Sequence, residues 1–258
     1  MRTLLSVESL AKAFGGVHAV EACTLGVREG AITGLIGPNG AGKTTLFNLI
    51  AGVHTPDAGR IVFDGADITG EKPHRVFRRG LCRTFQIPRE FKDLTVLENL
   101  MVVPGEQLGE RLWAPWLRGR AVREEEARLR ARADDVLAFL GLAGVRDQLA
   151  STLSGGQKKL LELGRIMMAE PKLLLLDEPG AGVNPTLMGE LAGYIRRLAT
   201  ERGVTVLLIE HDMDLVMSLC DPVIVMSEGR TLAEGTPEHV RRDPRVLEAY
   251  LGRKHARG

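Results

Sequence analysis

The stretch GLIGPNGAGKTTLFNLIAG, residues 34–52, sets glycines, a proline and a lysine between an apolar run and an amphipathic segment. Residues 31–36 are the kind of short apolar run that makes a buried strand. From Lys43 onward, Leu46, Leu49 and Ile50 fall on one helical face. Between them Gly37, Pro38, Asn39, Gly40, Ala41, Gly42, Lys43 and Thr44 match the pattern G-x-x-x-x-G-K-[ST]. Glycines in such a loop allow backbone angles that turn successive N–H groups inward, and the helix start adds partial positive charge. That is a cradle for phosphate. Lys43 is expected to reach the outer phosphates, Thr44 to offer its hydroxyl to Mg²⁺, and Thr45 to complete the binding set. A glycine-rich turn between strand and helix needs no ligand, but the complete pattern in strand–loop–helix order favours a nucleoside triphosphate.

The surrounding chain of 258 residues is long enough for one large domain or two lobes. Its 34 basic and 33 acidic residues leave a formal net charge of +1, which argues against a protein that coats nucleic acid. Cys23, Cys82 and Cys220 are scattered without metal-ligand spacing and read as reduced thiols in small apolar spaces. Glu8 and Lys12 interrupt the N-terminal apolar residues, so no signal peptide is expected. No apolar run approaches the length of a membrane span, so work at a membrane would depend on another subunit.

The first part of the chain reads as strand-rich: residues 4–9, 19–27 and 31–36, then GRIVFDG at 59–65 and residues 81–86. Residues 95–168 read as mainly helical, opening on Thr95 and Glu98 with capping-box spacing. The stretch 105–119, with Trp113 and Trp116, interrupts that pattern; 120–140 resumes it with Val136, Leu137 and Leu140 as the apolar face. Strand signals return in KLLLLDE (172–178), TVLLIEH (205–211) and PVIVMSEG (222–229). Asn184 and Pro185 open a helix between the first two. Apolar runs alternating with amphipathic helices imply an α/β protein with a mainly parallel sheet, into which the central helical block is inserted.

Asp177 and Glu178 end a buried strand, where open α/β sheets keep their ligand crevices. Asp177 is expected to hold Mg²⁺ and Glu178 to act as the general base that orients the attacking water. In TLSGGQ, Ser154 and Gln157 have capping-box spacing, yet Gly155 and Gly156 cost a first helical turn about 1 kcal/mol each relative to alanine. A glycine-bearing helix start is a second anion site. Two half-sites in one chain suggest that two chains complete each other.

On these motifs the sequence resembles the ATP-binding-cassette family, in which LSGGQ at 153–157 is the signature motif. The resemblance covers nearly the whole chain, with the motifs in the expected order. It implies a phosphate-loop NTPase core carrying an N-terminal antiparallel β subdomain (residues 1–94 and 169–258) and an inserted helical subdomain (95–168). It also implies that two cassettes, as a homo- or heterodimer, sandwich two ATP molecules between phosphate loops and signature helices. By the same resemblance, Phe14 lies where the family sets an aromatic ring against adenine. Gln86 matches the glutamine that touches Mg²⁺ and the attacking water, and His211 matches the switch histidine at the γ-phosphate. Taken alone, Phe14 could be core and His211 an ordinary residue after a strand.

The chain is similar above all to the ATPase subunits of bacterial branched-chain amino acid uptake systems, on RTFQIPREFKDLTVLENL, LLLLDEPGAGVNP, IEHDMDLVM and the tail segments EGTPEHV and VLEAYLG. That similarity implies an ATPase on the cytoplasmic face of the inner membrane, bound to transmembrane permease subunits and served by a periplasmic or extracellular solute-binding protein. Lys158 and Lys159 stand where arginine is common in the family, and Asn184 where many cassettes carry aspartate. Lipopolysaccharide-export ATPases share the size and motifs. DNA-maintenance ATPases share the loop, signature and acidic strand but separate them by long coiled coils, and translation-associated cassette proteins carry two cassettes per chain. Lys72, Arg75, Arg78, Arg79, Arg83, Arg89 and Lys92 form a basic stretch expected to be a solvated surface. Glu90 and Lys92 are expected to face the permease.

Overall fold

In the computed structural model the described residues are 2–83, 90–104, 119–182 and 184–251. They divide into two compact units, residues 1–86 with 172–258, and residues 87–171.

The first unit opens on two long strands, β1 (Thr3–Phe14) and β2 (Val17–Arg28), which pair antiparallel through a turn at Gly15 and Gly16. Both run beyond the 4–9 and 19–27 expected. Ser9 and Ala22 adopt left-handed backbone angles and the register slips between Val7 and Leu10, so bulges break the alternation while pairing continues. Phe14 is thereby carried to the hairpin tip. With β4 (Ala58–Phe63) and β5 (Ala66–Asp67) these strands form a sheet ordered β2-β1-β4-β5.

The second sheet contains β3 (Ile32–Ile36), β6 (Leu81–Arg83), β7 (Leu173–Asp177), β8 (Thr205–Ile209), β9 (Val223–Ser227) and β10 (Arg230–Gly235). Its order is β10-β9-β3-β8-β7-β6, parallel throughout except for the β9–β10 hairpin. Every residue of β3, β7 and β8 is buried, as expected of strands covered on both faces. Helices α1 (Lys43–Ile50) and α2 (Pro73–Arg78) follow the early strands. Leu46, Phe47, Leu49 and Ile50 of α1 pack with Leu5, Leu35, Phe63, Leu175 and Leu207 in one core. The three cysteines are buried within the unit and free.

In the helical unit, α3 (Val96–Met101) and α4 (Gly119–Phe139) precede α5 (Gly155–Met168). Gly164 is the close-packing point: a Cβ there would meet Leu140, Leu100 and Val136 side chains at 3.0–3.3 Å. The unit begins before the expected residue 95 because residues 91–94 are tied into it. The Asn99 side chain accepts from the Phe91 N–H and donates to the Phe91 and Leu94 carbonyls, while Ala150 and Ser151 N–H groups donate to the carbonyls of Leu94 and Lys92. The remaining helices, α6 (Pro185–Arg202), α7 (Met213–Leu219), α8 (Pro237–Arg242) and α9 (Pro244–Leu251), belong to the first unit. Trp113 and Trp116 lie outside the described residues.

Candidate functional site

Because β3, β8, β7 and β6 are parallel neighbours in that order, their C-terminal ends open on one edge of the sheet. The register sets Leu35 opposite Ile209, Ile209 opposite Asp177, and Arg83 opposite Leu175. Four segments therefore meet there: the loop after β3, the acids after β7, the histidine after β8 and the arginine closing β6.

The loop of residues 37–42 has left-handed or otherwise glycine-specific backbone angles at Gly37 (φ 151), Gly40 (φ 79) and Gly42 (φ 97). At two of the three a side chain would collide with backbone: a Cβ on Gly37 would lie 2.1 Å from the Met226 carbonyl oxygen, and one on Gly42 would lie 2.2 Å from that of Ala19. Sterics thus hold the loop as a cradle lined by backbone. Lys43 is 6% exposed, and its Nζ donates to the carbonyls of Gly37 (2.7 Å) and Pro38 (3.2 Å), which fixes an ammonium across the loop. Thr44 is exposed in the first turn of α1 and Thr45 is half-buried beside it. The Gly37 N–H faces the Tyr250 hydroxyl; burial pushes that phenol's pKa up and the Gly37 contact pulls it back.

Asp177 is 1% exposed and accepts from Arg83 Nη2 at 2.7 Å, while Arg83 Nη1 reaches Asn48 Oδ1 at 2.5 Å. Arg83 is thus no member of a solvated basic surface. It lies at the C-terminal end of the edge strand β6, where its guanidinium can fork between a buried carboxylate and α1. Lys72, Arg75, Arg78, Arg79 and Lys92 are exposed as expected, and Arg89 lies outside the described residues.

Glu178 holds a left-handed conformation (φ 49), uncommon for a residue with a side chain, and its Oε1 meets His211 Nε2 at 2.7 Å. The two side chains are 29% and 46% exposed, so both are open to a ligand. Phe14 is 44% exposed and meets His54 edge to face, with centroids 5.2 Å apart. Asp57 steadies the strand before it by accepting from Lys12 Nζ and the Ala13 N–H, both at 2.7 Å. Gln86 lies outside the described residues.

Ser154, Gly155, Gly156 and Gln157 belong to the helical unit. There the Ser154 hydroxyl accepts from the Gln157 N–H (3.3 Å) and Gln157 Oε1 accepts from the Ser154 N–H (2.9 Å), the reciprocal cap expected from the spacing. The same cap forms between Thr95 and Glu98, and Asn184 caps α6 by accepting from the Leu187 N–H. Glu90 departs from expectation: its side chain is 8% exposed and pairs with Lys158 at 3.2 Å, so it is an internal partner of α5 rather than a surface charge.

Residue-by-residue reading missed Arg83, Asn48, Glu210 and Tyr250. Glu210 alone carried a visible signal, an acid closing an otherwise apolar strand immediately before the histidine.

A phosphate loop, an acidic strand end and a histidine on one edge of a parallel sheet define a phosphate-loop NTPase. The ABC transporter family model matches residues 20–181, and the chain belongs to that family as an ATP-binding cassette, the subunit type that hydrolyses ATP to drive transport through a permease. A second model, described as branched-chain amino acid ATP-binding cassette transporter, matches residues 230–256. The chain is 43% identical to the high-affinity branched-chain amino acid transport ATP-binding protein BraF of Pseudomonas aeruginosa, over 97% of this chain and 98% of that one. It is 44% identical to the probable branched-chain amino acid transport ATP-binding protein LivG of Archaeoglobus fulgidus, over 96% and 95%. Among solved structures, the ADP conformation of the cassette MJ1267 has a TM-score of 0.82 and 38% identity, covering 98% of this chain and all (100%) of that one.

Proposed function

We propose that this chain is the ATPase of an importer for branched-chain amino acids or related small polar solutes. In this reading it sits at the cytoplasmic face of the inner membrane, held by permease subunits that receive solute from a periplasmic or extracellular binding protein. The solute class rests on relatives that match over nearly their full length and on the C-terminal segment at 230–256. No described helix is long and apolar enough to cross a membrane, which suits a subunit that borrows its anchorage.

The observation that carries the catalytic part is the Glu178–His211 contact of 2.7 Å at the sheet edge that also bears the phosphate loop. The loop N–H groups and Lys43 hold the ATP phosphates, and Phe14 stacks on the adenine. Glu178 takes the proton of the attacking water, and His211 donates a hydrogen bond to the γ-phosphate. Asp177 and Thr44, with Gln86, supply the hard oxygen donors that suit Mg²⁺, and the deep burial of the Asp177 carboxylate fits a site where a cation replaces solvent. Bound there, Mg²⁺ would neutralise phosphate charge. Residues 154–157 of a second cassette, identical or related, close over the nucleotide, so that ATP holds a dimer.

The test is Glu178→Gln. Hydrolysis should fall by about 10²–10⁴-fold, the usual cost of losing a general base, while ATP binding persists and light scattering finds an ATP-dependent dimer. A monomer at saturating ATP would sink the sandwich, and undiminished hydrolysis would remove Glu178 from its role.

A further inference from the structure

The buried carboxylate of Glu210 has no part in the chemistry above, yet it touches both segments that carry it. Glu210 is 6% exposed at the end of β8. Its Oε1 accepts from the Gly180 N–H at 2.8 Å, and its Oε2 accepts from the His211 N–H at 3.0 Å. Gly180 lies in the turn that Glu178 begins, closed by the Ala181 N–H donating to the Glu178 carbonyl at 3.0 Å. Each oxygen of one side chain is thus committed to a different loop.

We propose that Glu210 is a positioning residue that sets the spacing between the Glu178 and His211 side chains. The inference rests on the roles given to those two residues above. Three features point to it. First, only a carboxylate provides two acceptor oxygens at this geometry; a glutamine would set an N–H₂ against one of the two backbone donors. Second, the approach at Gly180 is close: a Cβ would lie 1.7 Å from the Met188 methyl and 2.8 Å from Glu210 Oε1, so a side chain there would push on the Glu210 carboxylate itself. Third, the backbone at Glu178 is in the left-handed region, so its turn needs an external brace to persist. With both amides pinned to one rigid carboxylate, the turn bearing Glu178 and the strand end bearing His211 move as one body. Without it, the strand ends stay joined by the Glu178 N–H donating to the Ile209 carbonyl at 2.9 Å, but the turn at Gly180 loses its tie to the His211 backbone and the 2.7 Å contact between Glu178 and His211 loosens.

The experiment compares Glu210→Ala and Glu210→Gln with Glu178→Gln and His211→Ala in the full chain. It measures steady-state ATPase, calorimetric Mg-ATP affinity and the ¹⁵N resonance of His211 Nε2, assigned by its disappearance in His211→Ala. Glu210→Ala should lose about 10²-fold in kcat, the scale of a misplaced catalytic group, with unchanged nucleotide affinity and a His211 Nε2 signal displaced from its wild-type position. Glu210→Gln, which keeps one acceptor, should fall between wild type and alanine in both readouts. If the alanine variant does not fold, Glu210→Asp takes its place, keeping both oxygens but withdrawing them by one methylene. A wild-type kcat or an undisplaced His211 signal in the folded variant overturns the inference. If Glu178→Gln and His211→Ala themselves hydrolyse ATP normally, it is the site reading that fails instead.

Discussion

Replacing Arg83 by methionine removes the guanidinium while keeping much of its unbranched apolar bulk, and leaves Asp177 buried at 1% exposure beside an apolar neighbour. Breaking a buried ion pair from one side costs about 3–5 kcal/mol. Arg83 itself is 18% exposed, so water can partly replace it, and the lower end, about 3 kcal/mol, is the better figure. For a chain of this length each kcal/mol moves the melting temperature by about 2–4 °C, so the unit holding Asp177 should melt about 6–12 °C lower. Differential scanning calorimetry of the wild type and the variant reads this directly. A second measurement separates an ion-pair role from packing. On the proposed role of Asp177 as a Mg²⁺ ligand, Mg-ATP would give it another cation, so it should stabilise Arg83→Met more than wild type, and chelating the metal should remove that excess. An unshifted transition in the variant, or equal Mg-ATP stabilisation of both proteins, would refute the argument that Arg83 compensates the Asp177 charge.

Lys43→Ala should weaken ATP binding by about 10–10²-fold, corresponding to about 1.5–3 kcal/mol for a charge-assisted hydrogen bond; calorimetric titration with unchanged affinity would count against the phosphate cradle. Glu90→Lys should destabilise the helical unit, because it sets a second cation against Lys158, and a loss of permease assembly in that variant is therefore uninformative. Lys92 is exposed, so Lys92→Glu is the clean probe of docking: co-purification with the permease should fall while basal ATPase stays at wild-type rate. Intact assembly and uptake would move the permease contact elsewhere.

Local chemistry was legible in the sequence wherever the partners are close along the chain. The phosphate loop, the caps at Thr95 and Ser154, and the Asn184–Pro185 helix start each involve residues a few positions apart, so spacing alone specifies the geometry. Apolar runs alternating with amphipathic helices were enough to imply a parallel sheet. The long hairpin was not, because bulges at Ser9 and Ala22 break the two-residue period that marks a strand. The interior of the site was legible least. Arg83 and Asp177 are 94 positions apart, Glu178 and His211 are 33 apart, and Gly180 and Glu210 are 30 apart. In one dimension Arg83 was one more cation in a basic run, and the acid at Glu210, visible beside the histidine, gave no sign that one of its donors lies on the turn after β7. Only the order β3-β8-β7-β6, with its parallel register, brings these strand ends to a single edge where a carboxylate shielded from water must find its donors among neighbouring strands.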